Sequence, residues 1–345
     1  MSSEGSREPQ RGLRHALPTC RTSYLRQILF NLIPIGGDAC NIVSAGAFDS
    51  WERQSNRILS RPSPETRLRI FPYLPVLAKG VAAGWLFGAK VIFGTFSVEL
   101  AMIGDSVSNP VIGQMRMQFW RDAVKGVYEN SPPRHPIALA LSDVCRQHKI
   151  QRYHLNRLID ARDAELHTPE HLTSESLTDH AEATSSTLLY ALLSLLTIPS
   201  NSLDSLSHAA SHVGVAQGIV TLLRGLPYHA SKGRMTIPAE ITSKHGVSQE
   251  EVFRRGKEAK GIVDAVYEFA VLANDHLITA RDMLSKLDDG KVPRGAMPVF
   301  LTGIPQALFL ERLESSDFNA FEPRLQVRDW KLAWRIWRGY HQRTF

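Results

Sequence analysis

HAASHVGVAQGIVTLLRGL, residues 208–226, decides the fold class. Its apolar residues recur at three- and four-residue intervals, the period of a helix rather than the alternation of a strand. Ala, Gly and Val fill most of these positions, and small side chains let neighbouring helices approach closely. The stretch reads as one of the helices of an all-α protein.

The same periodicity extends outward in both directions. Upstream, Leu177 to Ile198 ends in LLYALLSLLTI before Pro199, which predicts a helix buried on most sides. Ile150 to Leu166 carries Arg152, Arg157, Asp160, Arg162 and Asp163 on a solvated face, and Ile137 to Cys145 gives a shorter helix. Ile112 to Tyr128 follows Pro110 at a helix start and sets Met115, Phe119 and Val124 on one side. Downstream, SQEE at Ser248 to Glu251 has the spacing of a capping box. Ile262, Val266, Phe269, Ala270, Ala273 and Leu277 then repeat as a helix, and Pro293 and Pro298 introduce a shorter segment ending near Leu313. In the tail, Trp330, Trp334 and Trp337 share one helical face. Residues Asn31 to Gly94 differ: GGDACNIVSAGAFDS is loop-like, RPSPETR interrupts, and Leu74 to Phe93 is apolar without a clear period.

The chain has 345 residues, 43% of them apolar, enough for a substantial core. A net charge of +6 fits anionic lipid, an organelle matrix or nucleic acid without choosing among them. The basic residues are dispersed and no nucleic-acid motif appears, so nucleic acid is not expected as a partner. Cys20, Cys40 and Cys145 are widely spaced, which argues against both a disulfide framework and a thiolate zinc site. No stretch reaches the ~18 uncharged apolar residues of a spanning helix, and the best candidate, Val81 to Ala89, lies between Lys79 and Lys90. Arg7, Arg11, Arg14, Arg21 and Arg26 among serines and threonines give residues 1–30 the composition of a mitochondrial presequence, against which Glu4 and Glu8 weigh.

Two segments carry a resemblance: VELAMIGDSVSNPVIGQMRMQFWRDAV (Val98 to Val124) and HAASHVGVAQGIVTLLRGLPYHASKGRMTIP (His208 to Pro238). HGVSQEEVFRRG (His245 to Gly256), MPVFL (Met297 to Leu301) and DFNAFEP (Asp317 to Pro323) extend it to the C-terminal region. The chain resembles the squalene/phytoene synthase family, and more closely its offshoot that acts in mitochondrial complex I assembly. The resemblance implies an isoprenoid-synthase bundle around a central apolar cavity, over residues 95–345. Residues 31–94 depart from it, lacking the helix pair with a tyrosine-rich start that the family places there.

Active members hold magnesium on two DxxxD motifs. Carboxylates at i and i+4 share a helical face and bind the hard cations that neutralise a diphosphate leaving group. Here the first motif corresponds to Ala101 to Asp105 and the second to Gly225 to His229, leaving Asp105 as the remaining carboxylate. Alanine and glycine offer no ligand, and imidazole suits magnesium poorly. Pro227 is expected to end or kink the second motif's helix. The losses imply no catalytic residue and no metal cofactor, whereas retained head-to-head prenyl transfer would require magnesium. If the cavity persists, Arg116, Gln118, Arg121, Tyr190, Gln217, Arg224, Tyr228, Lys232 and Arg234 are its candidate lining, for an isoprenoid or other lipid. The implied partners are complex I subunits or other assembly factors and the inner-membrane surface, with the protein peripheral on the matrix side.

Blander readings compete with several of these. His208 and His212 have the spacing of a metal pair but no third ligand, so packing is favoured. Glu99 is too far round the helix to rejoin Asp105, and His229 lacks an orienting partner in the sequence, which favours a structural role. The terminal tryptophans, set among Arg328, Lys331, Arg335 and Arg338, either lie on an anionic membrane or pack into the core; core packing is favoured because the resemblance puts the tail inside the domain.

Overall fold

The computed structural model describes residues 74–345 apart from 108, 149, 197–199, 288–289 and 328, with side chains from residue 89 onward except those of 200 and 201. The expected presequence and the loop readings before residue 74 lie outside the described residues. Every regular element among those described is helical.

Helix α1 spans Leu74–Ser106, so the apolar stretch without a period is helical too. From residue 89 its buried residues include Ala89, Phe93, Phe96, Leu100 and Ile103, a stripe at helical spacing, and Val98 is buried as well. Helix α2, Pro110–Tyr128, starts as expected: Asn109 accepts from the Val111 amide and Pro110 fills the first turn, where its missing N–H costs nothing. Its buried side is Met117, Trp120, Ala123, Val124 and Val127. Met115 and Phe119 therefore face away from the core with Val111 and Ile112, which corrects the face expected from sequence.

Helices α3 (Pro136–His148) and α4 (Arg152–Glu165) follow. The single helix expected over Leu177 to Ile198 is three pieces in line: α5 (Ser174–Ala181), a π-helical turn (Glu182–Ser186) and α6 (Thr187–Ser194). A π turn inserts one residue into the helical repeat, and here it brings Glu182 and Ser186 towards the next helix. That helix, α7 (Ser200–Ala230), runs through Pro227 and stops one turn beyond it, so the proline sits inside the helix rather than ending it at once.

Beyond α7 come α8 (Ala239–Lys244), α9 (Gln249–Arg255), α10 (Ile262–Ser285), α11 (Met297–Phe300), α12 (Gly303–Glu314) and α13 (Lys331–Gln342). Half of the expected capping box forms: Ser248 Oγ accepts the Glu251 amide at 3.4 Å, while the Glu251 carboxylate pairs forward with Arg255 at 3.3 Å.

Helix α7 is the axis of the bundle and joins two apolar cores. Leu206, Ala209, Ala210 and Val213 belong to a core with α1 to α4, α6 and α11. Val215, Ala216, Ile219, Val220, Leu223 and Leu226 belong to a second core with α10 and α12. It packs closely on the π turn and the end of α5: a Cβ on Gly214 would stand 2.4 Å from Ser186 Cα, and one on Gly218 would stand 2.7 Å from Ala181 Cβ. Glycine is required there because two backbones touch.

The tail departs from expectation. Gly339 is buried against Ile304 and Leu301, and Leu332 and Ile336 are half-buried on the same side. Trp330, Trp334 and Trp337 point away from the core, 82%, 54% and 60% exposed, so core packing of these indoles is overturned.

Candidate functional site

The two degenerate motifs come together at one end of the bundle. Asp105 lies in the last turn of α1, and His229 lies in the last turn of α7. The loop after α7 returns Arg234 so that its Nη2 meets Asp105 Oδ1 at 2.6 Å. A guanidinium thus answers the remaining carboxylate charge of the motif pair, as a metal ion would in an intact site.

Gly225 leaves room beside it, and the His229 ring fills that room: a Cβ at Gly225 would stand 3.0 Å from His229 Cδ2. Burial pushes the His229 imidazole below its ordinary pKa, and Arg234 pushes the same way against Asp105 and Glu165. His229 is therefore neutral at pH 7 and lies in the field of both carboxylates.

Glu165 ends α4 on the other side of the site. Burial works to raise its pKa, but the Arg162 guanidinium at 2.6 Å, with His180 and His171 beyond, holds the carboxylate below its usual range. His180, 3.8 Å from Glu165, is pushed down to about 4 by burial and by Arg162. Its ring centroid stands 5.1 Å from that of His171, which burial also depresses. Sequence reasoning missed Glu165, His171 and His180, because nothing in their spacing points to α1 or α7.

The other sequence candidates divide into groups. Arg116 donates to Ser106 Oγ at 2.7 Å, next to Asp105, and Tyr228 stacks edge-on against His229. Lys232 is exposed in the same loop as Arg234. Arg224, one residue before Gly225, lies over the Phe309 ring at 5.5 Å, and burial lowers its pKa to about 10. Gln118 turns to solvent and bonds Asp122 at 3.0 Å, and Arg121 is held by Asp160 and Asp163 at 2.9 and 2.7 Å.

Tyr190 belongs to a different cluster, halfway along α7. Its hydroxyl donates to Glu182 on the π turn, and Ser211 Oγ donates to the other carboxylate oxygen at 2.5 Å. Beside them His212 Nδ1 and His276 Nδ1 are 2.8 Å apart, so one nitrogen donates, the other accepts, and the pair carries at most one proton in excess. This pairing, rather than a metal, occupies His212; His208 is exposed. Gln217 offers its carbonyl to Thr221 on the same helix.

The motif residues do not fit magnesium. Of the four ligand positions, one is a carboxylate, and it is already charge-paired to Arg234. Among the described residues, no group of three or more His, Cys, Asp or Glu is arranged to hold a metal ion.

A family model described as squalene/phytoene synthase matches residues 89–338. Curated relatives named NADH dehydrogenase (ubiquinone) complex I, assembly factor 6 include those of Rattus norvegicus and Homo sapiens. They are 40% and 39% identical over 234 residues, which is 68% of this chain and 68% of each relative. The homolog of that factor in Drosophila melanogaster is 32% identical over 249 residues, covering 70% of this chain and 71% of its own. Among solved structures, a dehydrosqualene synthase in complex with ligand superposes with a TM-score of 0.59 at 14% identity, over 81% of this chain and 97% of that one. A squalene synthase from Alicyclobacillus acidocaldarius gives 0.59 at 12% identity, over 84% and 100%. At such identities the structural likeness concerns the fold, which is the all-α isoprenoid-synthase bundle.

Proposed function

Since the chain belongs to the squalene/phytoene synthase family yet retains a carboxylate at one of the four ligand positions, we propose that it acts in the assembly of mitochondrial respiratory complex I and does not join prenyl diphosphates. The observation that carries this reading is the Asp105–Arg234 pair at 2.6 Å. Departure of a diphosphate needs concentrated positive charge at its oxygens, which the family supplies through metal ions on several carboxylates. In this chain the remaining carboxylate is neutralised by a fixed guanidinium, with Ala101, Gly225 and His229 at the other positions. The relatives named for complex I assembly align over two thirds of the chain, which supports carrying their role to it.

On this reading the protein works in the mitochondrion, peripheral on the matrix side of the inner membrane, with complex I subunits or other assembly factors as partners. No described helix is long and apolar enough to cross a membrane, which agrees with a peripheral position. An isoprenoid or other lipid is a candidate ligand of the bundle. Removing the gene from its host and measuring assembled complex I on native gels tests the role: loss of the complex, restored by the wild-type chain and by Asp105→Asn, is expected. Purified protein that makes squalene or phytoene from farnesyl or geranylgeranyl diphosphate with magnesium at enzyme-like rates would overturn the non-catalytic reading.

A further inference from the structure

Helix α13 has two apolar faces, and among the described residues the fold uses one. Inside, Leu332, Ile336 and Gly339 lie towards α12, and Arg335 closes that edge on Glu311 at 2.6 Å. The residues after the helix lock its angle. Arg343 Nε donates to the Val292 carbonyl at 2.7 Å, the Phe345 main-chain oxygen accepts Arg281 Nε at 2.7 Å, and the Phe345 ring stacks on Phe300. The helix is therefore mounted firmly on the bundle.

Outside, successive residues turn by about 100°, so Trp330, Trp334, Trp337 and His341 fall within about 60° of arc. Arg338 and Lys331 border this strip on one side and Tyr340, 43% exposed, on the other. The Arg338 guanidinium lies 5.3 Å from the Trp334 ring, and Lys331 Nζ lies 6.0 Å from the Trp330 ring. No acidic residue occurs from Lys331 to Gln342. An indole hides roughly 150–250 Å² when covered, and soluble proteins seldom leave such a contiguous apolar strip in water without a partner.

The charges select the partner. A groove on another protein would desolvate Lys331 and Arg338 and require acids placed to answer them. The headgroup layer of an anionic bilayer offers phosphates at the border of the strip and an apolar boundary beneath it, where indoles are favoured. At 12 residues α13 can lie in that layer but not span it.

We propose that the Trp330, Trp334 and Trp337 face of α13 docks on an anionic phospholipid surface, with the indoles at the headgroup boundary and Lys331 and Arg338 against lipid phosphates. The inference rests on the peripheral membrane position proposed above and identifies the face turned towards the bilayer.

Flotation of the full chain with vesicles of phosphatidylcholine, alone or mixed with phosphatidylglycerol, tests it. The wild type is expected to float with the mixed vesicles, to be released by salt, and to lose tryptophan emission to brominated acyl chains. Replacing all three tryptophans with alanine is expected to weaken binding about tenfold or more, and Lys331→Glu with Arg338→Glu to abolish the preference for phosphatidylglycerol. Thermal melting of each variant at the wild-type temperature excludes misfolding, as these side chains are exposed. Wild-type binding that survives in the triple variant overturns the α13 assignment and leaves the peripheral position standing. A wild type that binds neither vesicle overturns both. A triple variant that binds vesicles normally but fails to restore complex I makes this face a protein-docking surface and overturns the proposal.

Discussion

The middle of α7 and its C-terminal turns each lie beside a carboxylate, and the two regions treat it differently. At the middle, Glu182 comes in on the π turn, accepts hydroxyls from Tyr190 and Ser211, and is held where Gly214 lets the two backbones touch. At the end, Asp105 arrives from another helix and meets an arginine on a loop, with a third of the Asp105 side chain and more of Arg234 open to water. A carboxylate answered by neutral hydroxyls depends on the packing that holds them in place, whereas one answered by a single cation at the solvent edge does not. Substitutions at Asp105 and its neighbours are therefore expected to leave the fold intact, because these residues sit at the tolerant end of the axis.

The sharpest way to break this contrast is Gly214→Val. Its Cβ would fall 2.4 Å from Ser186 Cα and 2.5 Å from Ser186 N, atoms that move only if the π turn moves. The expected destabilisation lies at or above the ~3 kcal/mol upper end of ordinary overpacking. Thermal melting should fall by roughly 6 °C or more, taking about 2–4 °C per kcal/mol for a large domain. Wild-type melting of the variant would mean that α7 and the π turn are not in backbone contact.

Acid sharpens it from the other end. His180 is pushed from 6.5 to about 4, chiefly by burial, so between those pH values the unfolded chain binds a proton that the folded chain refuses. Stability therefore rises with pH in this window and is lost as pH falls from 6.5 towards 4, by on the order of 3 kcal/mol at the acid limit. Urea melts at pH 7 and pH 4.5 should give a smaller difference for His180→Gln than for the wild type. Equal differences would place His180 in water rather than beside Glu165.

Much of this layout was legible in the sequence, and the exceptions share a cause. Helices appear because each repeats its own period locally, as Ile262, Val266, Phe269 and Ala273 do in α10. The departures from DxxxD at Ala101 to Asp105 and Gly225 to His229 appear because motif positions are neighbours in sequence. Arg234 stands 129 residues from Asp105, and Glu182 reaches Ser211 across 29, so no spacing rule announces either contact. The π turn leaves no mark on the periodicity, since one inserted residue shifts the phase of a long apolar run too little to show. For α13, and for Met115 and Phe119 of α2, the period gives the shared face but not its direction: periodicity says which residues lie together, not whether that face is buried.

Between the extremes stands Glu182→Ala. It leaves the Tyr190 and Ser211 hydroxyls without their acceptor in a half-buried place, at an expected cost of about 1–2 kcal/mol. Glu182→Gln keeps an acceptor and should recover about half of the loss in urea melts. If alanine proves as stable as glutamate, water serves these hydroxyls equally well, and the middle of α7 is no less tolerant than its end.

The smallest effect is expected where the family keeps its chemistry. Asp105→Asn removes one charge of a pair whose members are 33% and 41% exposed. Exposed pairs contribute about 0.2–1 kcal/mol, so the melting temperature should move by no more than about 4 °C. Because Arg234 then loses its counter-charge beside the neutral His229, the imidazole loses one of the two carboxylates that raise its pKa and should titrate lower still, which NMR of the ring can follow. Complex I assembly should be unaffected, since the site is proposed to do no prenyl chemistry. A variant that melts normally yet fails to restore the complex would mean that the charge of Asp105 serves function directly, and the end of α7 would then be the intolerant half.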